Sequence, residues 1–354
     1  MMARFADVLT IVNGKNQSKV ENPNGKYPIY GSGGIMGYAD DYICEANTVI
    51  IGRKGSINKP IFVETPFWNV DTAFGLVADK TKLLPKYLFY FCDYFDFEQL
   101  NTTVTIPSLT KANLLNVKIP LPSLSKQEKI LSELSKIDTL ISLRKQQLAK
   151  LDDLVKARFV ELFGDVSDFV NITDIAHTYI GLVTTMTKHY CNNGTPLLFN
   201  SSIKSDKIVW DGTYLDAEFA EANKSRMHKT NDIITVHTGD IGTSAVVGEE
   251  YNNSLGFATI VTRINDVGRY YPRFISSFLN YGSGKEQLKK YSRDVRNNLN
   301  LKDFNRLMVP NVSVLDQKRY VDFLEQTDKS KSAIQQSLDK LETLKGALMQ
   351  KYFG

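Results

Sequence analysis

The chain has 354 residues, of which 42% are hydrophobic and 23% are charged, and its formal net charge is +4. This length is too great for one ordinary core, so we expect two domains with helical connectors. The composition is that of a soluble globular protein, and the small positive charge permits nucleic-acid binding without requiring it.

The cysteines and the N-terminus argue against an exported or membrane protein. Cys44, Cys92 and Cys191 are odd in number and show no pairing pattern, which argues against a disulfide framework. The N-terminus lacks a charged segment followed by an apolar one, and no apolar run reaches the roughly 18 residues that span a bilayer. We therefore expect a cytoplasmic protein without a membrane partner.

Residues 1–120 are predicted to form the first globular region. Short apolar runs, such as residues 48–51, alternate with turns rich in glycine and asparagine, which is typical of twisted strands. The aromatic segment from Leu84 to Leu100 is predicted to be a helix. The glycine-rich segment 31–37 is interpreted as a turn or a DNA-contacting loop, because no clear helix and no acidic ribose partner follow it, as a nucleotide-binding loop requires.

Residues 121–165 are predicted to contain a long helix that follows a stiff, proline-rich connector. Ser123 or Ser125 would cap this helix, with Gln127 and Glu128 placed for a capping box. About 39 residues would make a rod roughly 58 Å long, and a rod with an apolar seam needs a partner helix. The predicted seam consists of Ile130, Leu134, Ile137, Ile141, Leu148, Leu151, Val155 and Leu162.

An internal repeat predicts that residues 166–310 form a second globular region and that residues 311–354 form a second long helix. The equivalent positions stand 190 residues apart: Pro120 and Pro310, Gln127 and Gln317, Leu134 and Leu324, Leu148 and Leu338, Leu151 and Leu341, and Phe163-Gly164 and Phe353-Gly354. The second seam would contain Leu324, Ile334, Leu338, Leu341 and Leu348, interrupted by Thr327, Lys331 and Lys345. The predicted fold class is α+β, with two globular regions of twisted strands and short helices joined by two long antiparallel coiled-coil helices in a pseudo-two-fold arrangement.

The two globular regions share framework residues and differ at polar tips. Residues 47–55 resemble residues 231–239, and residues 27–32 resemble residues 195–200. Arg and Lys contact the phosphate backbone, while Arg, Asn, Ser and Thr also read base edges. The candidate DNA-binding residues are Tyr30, Ser32, Arg53, Lys54, Lys59, Asn200, Ser201, Lys204, His237, Thr238, Lys289, Arg293, Arg296 and Asn297. For the basic cluster of Lys285, Lys289, Lys290, Arg293 and Arg296, a solvated helix face remains the alternative.

No catalytic residue, metal ligand or cofactor site is predicted. The Asn-Pro-Pro-aromatic signature of adenine methyltransferases and the Walker lysine motif do not occur in the sequence. His189 and Cys191 have no second ligand pair at zinc spacing. Asp152, Asp153 and Asp240 are interpreted as isolated carboxylates on a helix surface and in a turn.

Three segments resemble the specificity subunit of type I restriction-modification enzymes: residues 119–130, residues 137–141 and the Leu-Phe-Gly at residues 162–164. Residues 26–34 resemble a common opening of the target recognition domains of that family. The second copy departs from the sequence pattern of the family, because Val309-Pro310-Asn311-Val312 replaces the double-proline connector and Asp316-Gln317-Lys318 replaces Lys126-Gln127-Glu128.

The resemblance implies that residues 1–120 and 166–310 are target recognition domains, which each read one half of a split double-stranded DNA sequence. It implies two docked methyltransferase subunits, with Gln127, Glu128, Gln317 and Lys318 as partner-binding residues, and restriction and translocase subunits for cleavage. S-adenosylmethionine, ATP and Mg²⁺ would be held by those partners, and this chain would hold no cofactor. The compartment would be the cytoplasm of a bacterium or archaeon.

Two alternatives stay open at this point. The first is a self-contained DNA methyltransferase or nuclease with unrecognised motifs. The second is a coiled-coil scaffold that binds no nucleic acid.

Overall fold

A computed structural model describes residues 1–101, 107–292 and 298–354. The chain divides into two compact units. Unit 1 consists of Met1–Gln146 and Gln335–Gly354, and unit 2 consists of Gln147–Ile334. Each unit contains a globular region and parts of two long helices, so the α+β architecture is confirmed.

The strands of unit 1 form three small sheets. The strands are β1 (Met2–Arg4), β2 (Leu9–Asn13), β3 (Tyr27–Gly31), β4 (Gly34–Ala39), β5 (Thr48–Gly52), β6 (Ile61–Val63), β7 (Trp68–Asn69), β8 (Ala73–Ala78) and β9 (Lys118–Pro120). The largest sheet is antiparallel with the order β2, β8, β5, β6, and every residue of β5 is buried in it. Strand β3 pairs antiparallel with β4 and parallel with β7, and β1 pairs with β9.

The short helices of unit 1 cover this sheet and lead into a long one. The short helices are α1 (Phe5–Val8), α2 (Pro85–Tyr94), a 3-10 helix (Phe97–Leu100) and α3 (Lys111–Leu115). The long helix is α4 (Leu124–Phe163), of which the residues after Gln146 belong to unit 2. The prediction of one helix from Leu84 to Leu100 is wrong, because α2 ends at Tyr94. The side chain of Asp96 accepts a hydrogen bond from the backbone N–H of Glu98 (3.0 Å), and this local bond favours a new turn over continued helix.

Unit 2 repeats this plan with additional strands. They are β10 (Phe169–Asn171), β11 (Ala176–Ile180), β12 (Tyr190–Cys191), β13 (Thr195–Phe199), β14 (Ile203–Lys204), β15 (Lys207–Ile208), β16 (Tyr214–Leu215), β17 (Ile233–Val236), β18 (Ser244–Val246), β19 (Leu255–Phe257), β20 (Thr259–Ile264) and β21 (Met308–Pro310). The order β11, β20, β17, β18 corresponds to the main sheet of unit 1. Strand β13 pairs parallel with β19, as β3 does with β7, whereas the β14–β15 hairpin has no counterpart among the described residues of unit 1.

The helices of unit 2 also follow the pattern of unit 1. The short helices are α5 (Ile172–Ile175), α6 (Ala217–Ala222), α7 (Pro272–Tyr281), α8 (Gly284–Tyr291) and α9 (Leu301–Phe304), with 3-10 helices at Thr187–His189, Asn200–Ser202, Lys224–Arg226 and Glu249–Tyr251. The long helix is α10 (Val314–Phe353), of which the residues after Ile334 belong to unit 1. Both α2 and α7 begin with a proline, which is favoured there because its fixed φ suits the first helical turn.

The two long helices confirm the prediction from periodicity. Helices α4 and α10 each contain 40 residues, or roughly 60 Å at 1.5 Å per residue. Within unit 1, Asp138 pairs with Lys345 (3.0 Å) and Lys145 pairs with Glu342 (3.0 Å), so the two helix segments run antiparallel. Within unit 2, Lys331 pairs with Asp152 (2.6 Å). Both lysines that interrupt the predicted seam are therefore partnered by carboxylates.

The seam is buried mainly where the helices meet a globular region. The buried apolar residues of the two long helices are Ile130, Leu134, Ile137, Leu338, Met349 and Phe353 in unit 1, and Val155, Phe159, Phe163, Tyr320, Val321 and Leu324 in unit 2. The placement of Leu162 in the seam is wrong, since this side chain is 38% exposed. Phe159 and Phe163 continue the face of Val155 at a spacing of four, because a straight helix departs from a strict heptad.

Candidate nucleic-acid interface

The loops that follow β5 and β17 share one backbone conformation. Asn47 and Asn231 precede the two strands at φ of 63° and 74°, and Gly55 and Gly239 follow them at 79° and 90°. Asparagine and glycine are the residues that adopt this left-handed region at least cost. Each unit therefore presents a loop of the same shape at the same end of its main sheet.

A second segment of the chain is hydrogen-bonded to the backbone of each loop. The backbone N–H of Leu109 donates to the carbonyl oxygen of Arg53 (2.9 Å), and the N–H of Leu299 donates to that of His237 (2.8 Å). These equivalent bonds leave the side chains after Arg53 and His237 free to differ. We call residues 53–56 the unit 1 tip and residues 237–240 the unit 2 tip.

The unit 1 tip is cationic. Arg53 and Lys54 are exposed, and the Arg53 guanidinium lies 5.8 Å from the centre of the Phe74 ring, which supports its stem. Ser32 lies beside this loop, because its Cβ would be 3.0 Å from a Cβ added to Gly52. The structure thus brings together three of the residues predicted from the sequence.

The other two predicted residues of unit 1 differ from each other. Lys59 is exposed on the same connection between β5 and β6. Tyr30 is half-buried, and its ring packs edge to face on Phe67 at 5.4 Å between centres. The ring of Tyr30 packs against the core of unit 1, and its contact with DNA stays a prediction.

Four of the predicted residues of unit 2 line one cleft of about 370 Å³. They are Asn200, Ser201, Lys204 and Thr238. The side-chain amide oxygen of Asn200 is buried there and has no hydrogen-bond partner among the described residues. A buried polar atom without a partner is costly, and most such atoms in folded proteins are paired with protein or water.

Asp240 lines the same cleft, and its neighbours keep it ionised. Lys285 Nζ lies 2.7 Å from its carboxylate, and the Thr243 hydroxyl donates to it at 2.6 Å. The hydrogen bond from Lys285, followed by that from Thr243, lowers the pKa of Asp240 below its usual range. The interpretation of Asp240 as isolated is wrong, because its partner Lys285 comes from α8, which is distant in the sequence.

His237 is half-buried at the base of the unit 2 tip. Burial lowers the pKa of this imidazole below its usual value, so the ring is neutral near pH 7. Its Nδ1 lies 2.6 Å from the Thr238 hydroxyl oxygen, and that hydroxyl lies 3.3 Å from the Asn298 side-chain oxygen. These contacts hold the Thr238 hydroxyl in one position at the cleft.

The predicted basic cluster is only partly described. Lys289 is exposed on α8. Arg293, Arg296 and Asn297 lie outside the described residues.

Gln127, predicted to contact a partner, is instead fully buried within unit 1. Its amide oxygen accepts from the backbone N–H of Leu84 (2.9 Å), and its amide nitrogen donates to the carbonyl oxygens of Lys82 and Pro122 (2.9 Å each). Leu84 directly precedes the proline that opens α2, so Gln127 ties the start of α4 to the start of α2. The predicted capping box is wrong, because the amide is committed to these three bonds.

Gln317 makes the same contacts in unit 2. Its amide oxygen accepts from the N–H of Tyr271 (3.0 Å), and its nitrogen donates to the carbonyl oxygens of Arg269 (3.2 Å) and Val312 (3.1 Å). Tyr271 directly precedes the proline of α7. Both glutamines are buried clamps, so the prediction that they touch a partner subunit is corrected.

The neighbouring predicted partner residues are exposed and opposite in charge. Glu128 lines a groove of about 640 Å³ together with the rings of Phe62 and Phe89. Lys318, at the equivalent position of unit 2, pairs with Asp322 at 2.9 Å. The two helix starts therefore offer different surfaces.

The remaining reactive side chains are used internally. His189 Nδ1 lies 2.8 Å from the Asp216 carboxylate, and its ring stacks on Phe219 at 4.3 Å. Burial raises the pKa of the Cys44 thiol to about 12 and that of Cys92 well above its usual value.

Within residues 1–101, 107–292 and 298–354, no group of three or more His, Cys, Asp or Glu side chains could hold a metal ion. In the same part of the chain, no helix is long and apolar enough to cross a membrane.

Sequence reasoning did not name Asp240 as a DNA-binding residue, and it placed Ile35 and Met36 in a turn or DNA-contacting loop without naming them as contacts; both apolar side chains are exposed. A signal for the second pair was present, because two apolar residues directly follow the glycine pair at residues 33 and 34. No comparable signal pointed to Asp240, since its pairing depends on tertiary contact.

Comparisons with known proteins agree with one another over nearly the whole chain. The sequence matches the family described as "Type I restriction modification DNA specificity domain" over residues 1–153 and 166–343. The type I restriction enzyme EcoBI specificity subunit of Escherichia coli is 24% identical over 349 residues, which cover 86% of this chain and 72% of that protein. The type I restriction enzyme MjaIX specificity subunit of Methanocaldococcus jannaschii is 29% identical over 127 residues, or 34% of this chain and 27% of that protein.

Two solved structures have the same fold. The crystal structure of the S subunit of a type I restriction-modification system from M. genitalium matches with a TM-score of 0.61 and 17% identity, covering 100% of this chain and 96% of that one. A chain described under complex assembly and conformational transition of the type I system matches with a TM-score of 0.64 and 14% identity, covering 99% and 97%.

Proposed function

The chain belongs to the type I restriction-modification DNA specificity domain family, and on that basis we propose that its two units each read one half of a bipartite double-stranded DNA target. Members of this family are specificity subunits, which are the non-catalytic DNA-recognition components of type I systems. Membership of this family favours a DNA-recognition subunit over a self-contained methyltransferase or nuclease and over a scaffold that binds no nucleic acid.

The repeated loop with unlike side chains is the observation that carries the proposal. One backbone shape at two sites gives each unit the same approach to a duplex, while different side chains give each unit its own preference. On the unit 1 tip, Arg53 suits the two acceptors of guanine in the major groove, and Lys54 suits a phosphate, as does Lys59 farther along the same connection.

The unit 2 cleft offers the complementary set of groups. Asn200 matches the adenine edge, and the carboxylate of Asp240 can accept from the amino group of cytosine. Lys204 and Lys289 supply charge for the phosphate backbone. Because Lys285 and Thr243 hold Asp240, this acceptor is oriented before DNA arrives.

We further propose that two methyltransferase subunits dock on the chain, one at each helix start, and that restriction and translocase subunits join them. S-adenosylmethionine, ATP and Mg²⁺ would then be held by those partners. The exposed groove beside Glu128 supports a docking surface in unit 1. Lys318 gives the second surface the opposite charge, so we expect the two contacts to be unequal.

Co-expression with the methyltransferase subunit of the same host tests both parts of the proposal. In the purified complex, light scattering should count two methyltransferase subunits per chain, and sequencing of methylated DNA should give a split target. Changing Arg53 and Lys54 to Ala should relax one half-site only, since each lost bidentate base contact costs roughly 1–3 kcal/mol.

Lys80→Ala is the matched control for this variant. Lys80 is exposed and follows β8 at Ala78, whereas the unit 1 tip adjoins the other end of that strand, where Ala73 pairs with Gly52. The control should leave the target unchanged. A change in both half-sites, or a folded chain that recruits no methyltransferase, would contradict the proposal.

A further inference from the structure

The β3–β4 hairpin of unit 1 ends in two exposed apolar side chains. Ile35 is 57% exposed and Met36 is 63% exposed, directly after the turn at Gly33 and Gly34. Adjacent residues of a regular strand point to opposite faces, so two exposed neighbours need a local explanation. Burial of this pair in the protein would be favourable, and its exposure marks a candidate contact surface.

A β-bulge produces this arrangement. Ile29 pairs with Gly37 and Tyr30 pairs with Ile35, so Met36 is the extra residue with no partner across the hairpin. A bulge of this kind redirects a side chain out of the regular alternation. The Met36 sulfur lies over Gly31, 2.6 Å from where a Cβ would be.

The described residues leave open space at three glycines, two in the hairpin and one in the unit 1 tip. No described heavy atom lies within 4 Å of a Cβ placed on Gly33, Gly34 or Gly55. Glycines at such positions let the atoms of a ligand approach the backbone closely. Ser32, in the turn of the hairpin, lies close to Gly52, which directly precedes Arg53: the Ser32 Cβ is 3.0 Å from the position of a Cβ built on that glycine.

The apolar pair therefore lies in a hairpin whose turn adjoins the cationic loop at Gly52. Exposed Arg53 and Lys54 complement a polyanion, which favours DNA as the occupant over an apolar peptide or a second copy of the chain. In a DNA major groove, the one apolar group on a base edge is the C5-methyl of thymine.

We propose that Ile35 and Met36 contact thymine methyl groups in the half-site that unit 1 reads. This inference rests on the proposed function and adds to it a specific base and two residues. In unit 2 the segment that follows β13, residues 200–204, is Asn-Ser-Ser-Ile-Lys, and its one apolar side chain, Ile203, is buried, so this segment exposes polar groups in place of apolar ones.

The test replaces thymine by deoxyuridine, which lacks only the C5-methyl, at one position at a time in a duplex with the mapped target. The complex with its methyltransferase subunits should bind the substituted duplex about four-fold more weakly at one or more positions of the unit 1 half-site, as burial of one methyl predicts. Substitution in the unit 2 half-site should have no such effect.

The double variant Ile35→Ser and Met36→Ser should bind more weakly and should no longer distinguish thymine from deoxyuridine. Its salt dependence should be unchanged because an apolar contact releases no counterions, whereas Lys54→Ala should reduce the slope of log K against log salt by about 1. Val267→Ser is the matched control, since Val267 is exposed and follows β20 at the end away from the unit 2 tip. Trp68 fluorescence checks that each variant of unit 1 is folded.

Two outcomes would overturn the inference while leaving the proposed function intact. One is a specific target whose unit 1 half-site contains no T·A pair, or in which deoxyuridine binds as well as thymine. The other is a double variant that retains the full discrimination. Absence of sequence-specific binding by the unaltered complex would instead overturn the proposed function.

Discussion

Unit 1 and unit 2 share a backbone turn and present different chemistry on it. The unit 1 tip carries Arg53 and Lys54, whereas the unit 2 tip carries His237, Thr238 and an ion-paired Asp240. The shared features, which are buried strands and residues at positive φ, determine where the loop stands. The side chains on the loop bear little on the packing below, so recognition can change while the fold stays the same.

The units also differ on the face formed by an edge strand of the main sheet and the helix that packs on it, which are β6 and α2 in unit 1 and β18 and α7 in unit 2. In unit 2 the turn of the β14–β15 hairpin covers this face, since Asp206 accepts from Ser276 (2.9 Å) and Asn280 (3.0 Å) on α7. In unit 1 the corresponding face is the open groove with Phe62 and Phe89. An insertion of a few residues therefore decides whether an apolar face is closed internally or left available.

The largest expected effect on stability comes from removing the phenylalanine of the repeated Phe-Gly at the end of each long helix, which tests whether the two units depend on it equally. Phe353 packs on Tyr87 at 5.1 Å in unit 1, and Phe163 packs on Phe274 at 5.0 Å in unit 2. Phe353→Ala and Phe163→Ala should each lower the free energy of unfolding of their own unit by about 3–5 kcal/mol, because each leaves a cavity in a core.

The two tryptophans allow each unit to be followed separately. Trp68 lies in unit 1 and Trp210 in unit 2, so denaturation curves on Trp210→Phe and Trp68→Phe backgrounds report one unit each. Leu344→Ala, at an exposed position of α10, is the control and should change little. If both units lost stability equally in each variant, they would unfold as one body and the comparison would fail.

Acidification should affect the stability of the two units differently, because all four histidines lie in unit 2. His228 is fully buried, its Nδ1 lies 2.8 Å from the Ser254 hydroxyl, and burial lowers its pKa from 6.5 to about 4. The unfolded chain therefore binds a proton below pH 6.5 that the folded chain does not bind until about pH 4. This contribution to stability is complete above pH 6.5 and is lost as the pH falls, by about 2 kcal/mol at pH 5.

The measurement is the Trp210 unfolding curve at pH 7 and pH 5 for the unaltered chain and for His228→Gln. Burial raises the pKa of Asp206, which acts in the opposite sense, so the difference between the two proteins isolates His228. His177→Gln, at an exposed position, should behave like the unaltered chain. An identical loss of stability in His228→Gln would rule out this histidine as the cause.

The smallest expected effect compares the two glutamine clamps. Gln127→Ala and Gln317→Ala leave a backbone N–H and two carbonyl oxygens unpaired, which should cost each unit roughly 1–3 kcal/mol. Gln146→Ala, on the exposed face of α4, should stay within about 0.5 kcal/mol. Chemical denaturation with the same single-tryptophan backgrounds measures both values. Equal stability of Gln127→Ala and Gln146→Ala would show that the clamp contributes nothing.

Local patterns in the sequence were sufficient for the long helices, the internal repeat and the positions of the two tips. Helical spacing in α4 and α10 and the paired Asn and Gly around β5 and β17 are properties of neighbouring residues. Such features follow from backbone geometry and from apolar periodicity, and they do not depend on distant contacts.

Only the tertiary structure decided which polar residues are buried and which apolar residues are exposed. Gln127 looks like a surface residue in a capping box until α2 packs on it, and Asp240 looks isolated until α8 brings Lys285 to it. Met36 looks like a strand residue until the hairpin register leaves it without a partner. Each of these outcomes depends on chain segments that are far apart in sequence, because burial and ion pairing are set by packing and not by local propensity.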